Sequence, residues 1–483
     1  MKDGDTLSGK DWTGLLGFDG DPAAVDFDRI DAALESYYPQ MERDLLALIA
    51  CPSVQGEPDW RAPFGPGVRE ALDLALGVAV TLGFRVDDLD GYVGLADMEG
   101  YSEDQVGVLC HLDVVPARSE DWTVCPPFEP VVRDGRIYGR GALDDKGPTI
   151  AALYGAAVLA DFGVPLSKTV RFILGCNEES GMECVKYFLS RYEPPALGFT
   201  PDGRFPLVNG EKGICHFELS SAFAADRSGG PRLLRLSAGT AANIVPAQAE
   251  AVFSPGAELR FHGEEGIALS QRDGCAVVTA SGRACHGSLP EQGDNALVRL
   301  VLFLAGQSFA PAAASDFIKR LAELLADDKY GASLGLAADD GLSPLTCSPN
   351  LLTLDENGAK LTCDCRFPVQ STGEELLAKL EALAAAEGWR LNIPTLHPPL
   401  YMAPDQPLAR ELLAAYREVT GDERDPIVMG CGTYAKAFPN FLAFGAEAES
   451  SPGLAHQADE YFSSADLVLC AKVYARAIYR LAK

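Results

Sequence analysis

Residues 105–113, QVGVLCHLD, form an apolar run that stops at a histidine and an aspartate, and two later stretches repeat the plan: 169–180, TVRFILGCNEES, and 196–203, ALGFTPDG. Short apolar runs closed by polar clusters read as buried strands. In open α/β sheets ligands collect at the carboxyl ends of strands, so three such clusters predict one shared site. Helical segments lie between them, among them 65–84, GPGVREALDLALGVAVTLGF, with Gly83 as its terminator. From about Asp26 to Gly210 the alternation predicts βαβ units around a largely parallel sheet flanked by helices.

From about Glu211 to Leu400 the texture changes to alternating strands, GICHFELSS, QAEAVFS, GCAVVTASG and KLTCDCRFP, with a few helices. That is the pattern of an inserted α+β unit. Its clearest helix is 371–389, STGEELLAKLEALAAAEGW, with Ser371 or Thr372 as cap, Leu376, Leu377, Leu380 and Leu383 as the apolar stripe and Gly388 as terminator. After about Tyr401 the α/β texture returns, closing on a helix marked by Leu467, Cys470, Tyr474, Ile478 and Leu481. The expected organisation is a catalytic domain in two pieces, 1–210 and 401–483, interrupted by a lid, 211–400, with residues 1–25 a possible extension.

The formal net charge of −29 repels phosphate backbones and anionic lipids, so nucleic acid and membrane surfaces are not expected partners. No stretch carries the ~18 uninterrupted apolar residues of a membrane span, and residues 1–21 have no basic-then-apolar leader pattern. A cytoplasmic location is expected. The 13 cysteines form no CxxC pair, and Cys110 and Cys176 end apolar runs, as buried reduced thiols do. Cys363 and Cys365 share a strand face, which alone makes no zinc site.

Only six histidines occur, so their positions are informative. His111 and Asp113 follow the first strand; an aspartate near an imidazole is the usual partner that orients a metal ligand. Asp144 and Asp145 lie in the glycine-rich turn GRGALDDKGP before a helix, Glu178 and Glu179 follow the second strand, Asp202 follows the third, and His456 precedes the last helix. Each has a plain structural alternative, such as a helix cap or a solvated loop. Together they are two imidazoles and several carboxylates at element ends, and so many like charges need a cation to be stable side by side. Nitrogen and oxygen donors without thiolates suit zinc, manganese or cobalt.

The blocks HLDVVP, GRGALDDKGP, CNEESG, FTPDG, CHGSLPEQGDNA and AHQADE, in this order from about Asp26 onward, resemble the signature of the M20 metallopeptidase family. DDKGP, NGEKG at 209–213 and GCGTYAKAF at 430–438 resemble its bacterial dipeptidases of the PepV or Sapep type. The resemblance implies a dinuclear-metal aminopeptidase-like fold and two divalent metal ions per chain, zinc first among them. It implies that Asp144 bridges, that His111 and Asp202 complete one site, and that Glu179 and His456 complete the other. It assigns Asp113 to orienting His111, Glu178 to general base, His286 to polarising the scissile carbonyl, and Asn243 and Arg366 to holding substrate, where a guanidinium fork suits a free carboxylate. Cys285 and Cys431 stand where small residues are usual. His216, His262 and His397 match no block and read as core or surface residues.

The implied activity is dipeptide hydrolysis through metal-activated water. The alternative is removal of an acyl group from an N-acyl amino acid or N-succinyl-diaminopimelate; a non-catalytic peptide-binding relative would lack a ligand or the base, and here every matched position is filled. The enlarged lid implies a monomer with His286 acting in cis. The preferred dipeptides, including β-alanyl or D-residues, are not readable from the sequence.

Overall fold

The structure is a computed structural model and describes residues 25–224, 226, 230–326, 329–448, 451 and 453–483; the possible extension at the amino end lies almost wholly outside them. Two sheets organise the chain. The first has nine strands, with the path Arg85–Leu89, Val93–Met98, Lys168–Gly175, Ser102–His111, Leu197–Thr200, Phe441–Ala443, Val208–Glu211 and Leu400–Tyr401, and with Ile427–Met429 also paired to Val208–Glu211. The four strands from Lys168–Gly175 to Phe441–Ala443 are mutually parallel. Three of them, Ser102–His111, Lys168–Gly175 and Leu197–Thr200, are the apolar runs of the opening motifs, buried because helices cover a parallel sheet on both faces.

Both ends of the strand path are antiparallel, so the sheet is mixed; outside the centre, Ile427–Met429 pairs in parallel with Val208–Glu211. At one end the cause is local. Asp90 and Gly91 both take positive φ, 54° and 77°, a turn that Asp-Gly adopts readily and that folds Arg85–Leu89 back on Val93–Met98. The helices Phe27–Ala50, Lys146–Asp161 and Ser464–Ala482 pack on one another and share the sheet's hydrophobic core. Leu467, Cys470, Tyr474, Ile478 and Leu481 are all buried, as their spacing predicts.

The second sheet is antiparallel throughout and has its own core. Its eight strands run in the order Ile267–Arg272, Cys275–Ser281, Gln248–Pro255, Leu233–Ala238, Thr346–Leu354, Gly358–Phe367, Gly213–Ala222 and Arg390–His397. Cys215, Cys363 and Cys365 point into that core, so Asp364 and Arg366, one residue out of phase, belong to the opposite face. The chain enters this sheet at Lys212, between Val208–Glu211 and Gly213–Ala222, and leaves it between His397 and Leu400.

The helix expected over 371–389 spans Glu374–Glu387 and stops at Gly388, whose φ is +66°. Its N-cap is Gly373 rather than a hydroxyl residue; Ser371 and Thr372 instead accept the N–H groups of Gly373 and Glu374 just ahead of the helix. Among the described residues no helix is long and apolar enough to cross a membrane.

Candidate metal centre

His111 is the last residue of Ser102–His111, Glu178 and Glu179 follow Lys168–Gly175, and Asp202 follows Leu197–Thr200. These strands are neighbours in the parallel centre, so their polar ends converge. Asp144 enters from the loop before Lys146–Asp161, and His456 from the loop before Tyr461–Ser463. His456 has φ +65°, uncommon for a residue with a Cβ and typical of strain held at a functional site.

Two groups of potential ligand atoms result: His111, Asp144 and Asp202, and Asp144, Glu179 and His456, with the atoms in each group within 4.8 Å of one another. Asp144 belongs to both. Its Oδ1 is 3.0 Å from His111 Nε2 and its Oδ2 is 3.0 Å from His456 Nε2. His111 Nε2 is 3.8 Å from Asp202 Oδ2, and His456 Nε2 is 3.2 Å from Glu179 Oε2. One carboxylate thus offers one oxygen to each group.

The charge balance of the centre is poor from protein atoms alone. Burial pushes Asp202 up to about 7, with the Asp144 charge adding to it. Burial likewise holds Glu178 well above the ordinary carboxylate range. For Asp144 burial acts in the same direction but is outweighed by hydrogen bonds from His111 and His456, so it remains ionised. Burial would lower His456, yet its bonds to Asp144 and Glu179 raise it to about 11. The clustered carboxylates create a demand for positive charge at the centre, and the nitrogen and oxygen donor set is one that divalent ions accept.

The supporting groups are specific. His111 Nδ1 donates to the main-chain oxygen of Asp113 at 2.9 Å, which leaves Nε2 facing Asp144. The expected orienting contact is therefore made by the carbonyl of Asp113 and not by its side chain, whose Oδ1 is 3.7 Å away. The Asp113 carboxylate instead accepts the N–H groups of Glu178 at 3.0 Å and Glu179 at 3.1 Å, setting the turn that carries both glutamates. Among the described residues no hydrogen bond ties down the Glu178 carboxylate. Glu460, which sequence reasoning left without a role although it ends the AHQADE block, is fully buried and accepts from Arg140 Nη1 and from the N–H groups of Gly141, Leu143 and Asp144.

The second sheet contributes the facing wall. Asn243, His286 and Arg366 come together there: Asn243 O accepts from Gly287 N at 2.7 Å, beside His286, and Arg366 Nη1 donates at 3.1 Å to the carbonyl of Gly430 in the GCGTY loop of the first unit. Ser288 N donates to His286 Nδ1 at 3.2 Å, so that nitrogen is an acceptor and the neutral ring carries its proton on Nε2. Desolvation and the Arg366 charge lower the His286 pKa, which favours this neutral form. Asp364, absent from the sequence-based set, pairs with Arg366 through two hydrogen bonds. The DxR spacing on a strand was its one sequence signal. His216, set aside as structural, lies 3.6 Å from Asp364.

Residues 107–480 match the family described as peptidase family M20/M25/M40. A Staphylococcus epidermidis protein named "Putative dipeptidase" is 33% identical over 92% of this chain and 97% of its own length. A Bacillus subtilis protein, "Putative dipeptidase YtjP", is 35% identical over 87% of this chain and 92% of its own. Among solved structures, human carnosine dipeptidase 1 superposes with TM-score 0.58 at 16% identity, covering 95% of this chain and 100% of that one. Aminoacylhistidine dipeptidase from Vibrio alginolyticus gives TM-score 0.57 at 16% identity, covering 92% and 97%. At such identities the two structures share a fold with this chain.

Proposed function

The chain belongs to peptidase family M20/M25/M40 and is a hydrolase of peptide bonds, and from that premise we propose that it is a dipeptidase working with two divalent cations. The observation that carries the reading is Asp144, whose two oxygens each face a separate imidazole at 3.0 Å. His111, Asp144 and Asp202 would hold one cation, and Asp144, Glu179 and His456 the other. Zinc suits these donors, as do manganese and cobalt. Cations bound there supply Lewis acidity, polarising a carbonyl and acidifying water.

The chain's own groups do the rest. Glu178, held by its main-chain N–H against Asp113 with its carboxylate untethered, accepts the proton of the attacking water and returns it to the leaving amine. His286 Nε2–H donates to the carbonyl oxygen as negative charge develops there. Arg366 takes the free carboxylate of a dipeptide, with Asn243 beside it. A fixed guanidinium that takes the terminal carboxylate limits how far the substrate extends beyond the scissile bond, and the names of the relatives at 33% and 35% identity agree with dipeptides.

On this reading 1–210 and 401–483 form the catalytic domain and 211–400 the lid, and one chain supplies both walls of the site. The contact of Arg366 with Gly430 within the chain supports a monomer with His286 acting in cis. The test is a panel on metal-reconstituted enzyme: Ala-Ala, Ala-Ala-Ala, Ala-Ala amide and N-acetyl-alanine. Preferential cleavage of Ala-Ala is expected; cleavage of N-acetyl-alanine alone would overturn the dipeptidase reading in favour of an acyl-amino-acid hydrolase.

A further inference from the structure

We infer that Asp364 is a positioning residue that decides which donors of the Arg366 guanidinium meet the substrate carboxylate; the inference rests on the reading of Arg366 given above. Asp364 and Arg366 are two apart on Gly358–Phe367 and share the face opposite the core of the second sheet. Asp364 is fully buried and Arg366 is 4% exposed. Nε of Arg366 donates to Asp364 Oδ1 at 2.7 Å and Nη2 donates to Oδ2 at 2.9 Å. Nη1 donates to Gly430 O at 3.1 Å.

A guanidinium has five N–H groups. Three are engaged, which leaves one on each of Nη1 and Nη2, and a carboxylate entering the site has to use those. The two-point pairing to Asp364 fixes the plane of the fork, since one oxygen alone would let it swivel. The same carboxylate lies against the turn that carries His286: a Cβ on Gly287 would sit 2.5 Å from Asp364 Oδ2. His216 Nε2, 3.6 Å from Oδ1, closes the far side. A buried ion pair of this kind is weak as a source of stability, because desolvating both charges offsets their attraction and apolar replacements often do as well. Its worth here is geometric: it presents a cation with only the outward donors free.

The experiment compares kcat/KM for Ala-Ala and Ala-Ala amide in the metal-reconstituted full chain and in Asp364→Asn, Arg366→Lys and Arg366→Met. Asp364→Asn puts a donor where one guanidinium donor had its acceptor, and is expected to cut the preference for the free carboxylate at least tenfold, mainly through a higher KM for Ala-Ala. Arg366→Lys, which keeps the charge but not the fork, is expected to lose the preference as fully as Arg366→Met. An unchanged preference in Asp364→Asn overturns the inference. Should that variant not accumulate as folded protein, an unchanged preference in Arg366→Lys overturns it instead. If Arg366→Met itself keeps the preference, the underlying reading of Arg366 fails, and the positioning role falls with it.

Discussion

Glu460 joins the two loops that bring candidate ligands from outside the sheet. Its carboxylate accepts from Leu143 N at 2.8 Å and Asp144 N at 3.2 Å, and from Arg140 Nη1 at 2.6 Å, while His456 lies one turn earlier in its own loop. Removing it leaves the Arg140 guanidinium, 3% exposed, without its counter-charge. Glu460→Ala is expected to lose about 3–5 kcal/mol of stability, the usual cost of breaking a buried pair from one side, measured by denaturant unfolding. An exposed acid such as Glu99, put through the same substitution, is expected to change stability by less than about 0.5 kcal/mol. Residues such as His111 and Asp202 were legible in the sequence because each ends its own apolar run. Glu460 was not, because its partner Arg140 is 320 residues away, and nothing local marks a carboxylate that collects another loop's N–H groups. Asp364 was hidden for the opposite reason: in CDCRFP it reads as an ordinary strand residue until the fold shows it paired with Arg366.

Elements show the same division between local and long-range causes. Gly83 and Gly388 end their helices at positive φ, 90° and 66°, as glycine's place in each pattern predicts. The antiparallel ends of the first sheet were not legible, since strand direction depends on partners far along the chain. Helix packing supplies a prediction. Gly155, inside Lys146–Asp161, faces Ser464–Ala482, and a Cβ there would lie 2.7 Å from Ala471 O and 3.0 Å from Ala475 N. Alanine favours an isolated helix over glycine by about 1 kcal/mol. The clash is with backbone that cannot turn aside, and overpacking costs about 1–3 kcal/mol. Gly155→Ala is therefore expected to lower the melting temperature, measured by thermal unfolding, although helix propensity alone predicts a rise.

At the scale of the whole molecule, the sheet that ends in the candidate ligands and the sheet that carries His286 and Arg366 belong to one chain and meet at Gly430. If one chain supplies both, mixing inactive His286→Ala with inactive Glu178→Ala is expected to restore no activity, because neither contributes the missing group to the other. Recovery of activity on mixing would show His286 reaching into a partner's site. The broad plan of an α/β sheet with an antiparallel insert was legible from the change of texture at about Glu211 and Tyr401, since periodicity is a local property. How the insert faces the site was not.

Sharing of Asp144 by two cations is read out by metal content, measured by elemental analysis after reconstitution and dialysis of the folded protein. Two equivalents per chain are expected for the unaltered enzyme, one for Asp202→Ala and one for His456→Ala. A single equivalent in the unaltered enzyme, lost in both variants alike, would show that Asp144 does not join two cation sites.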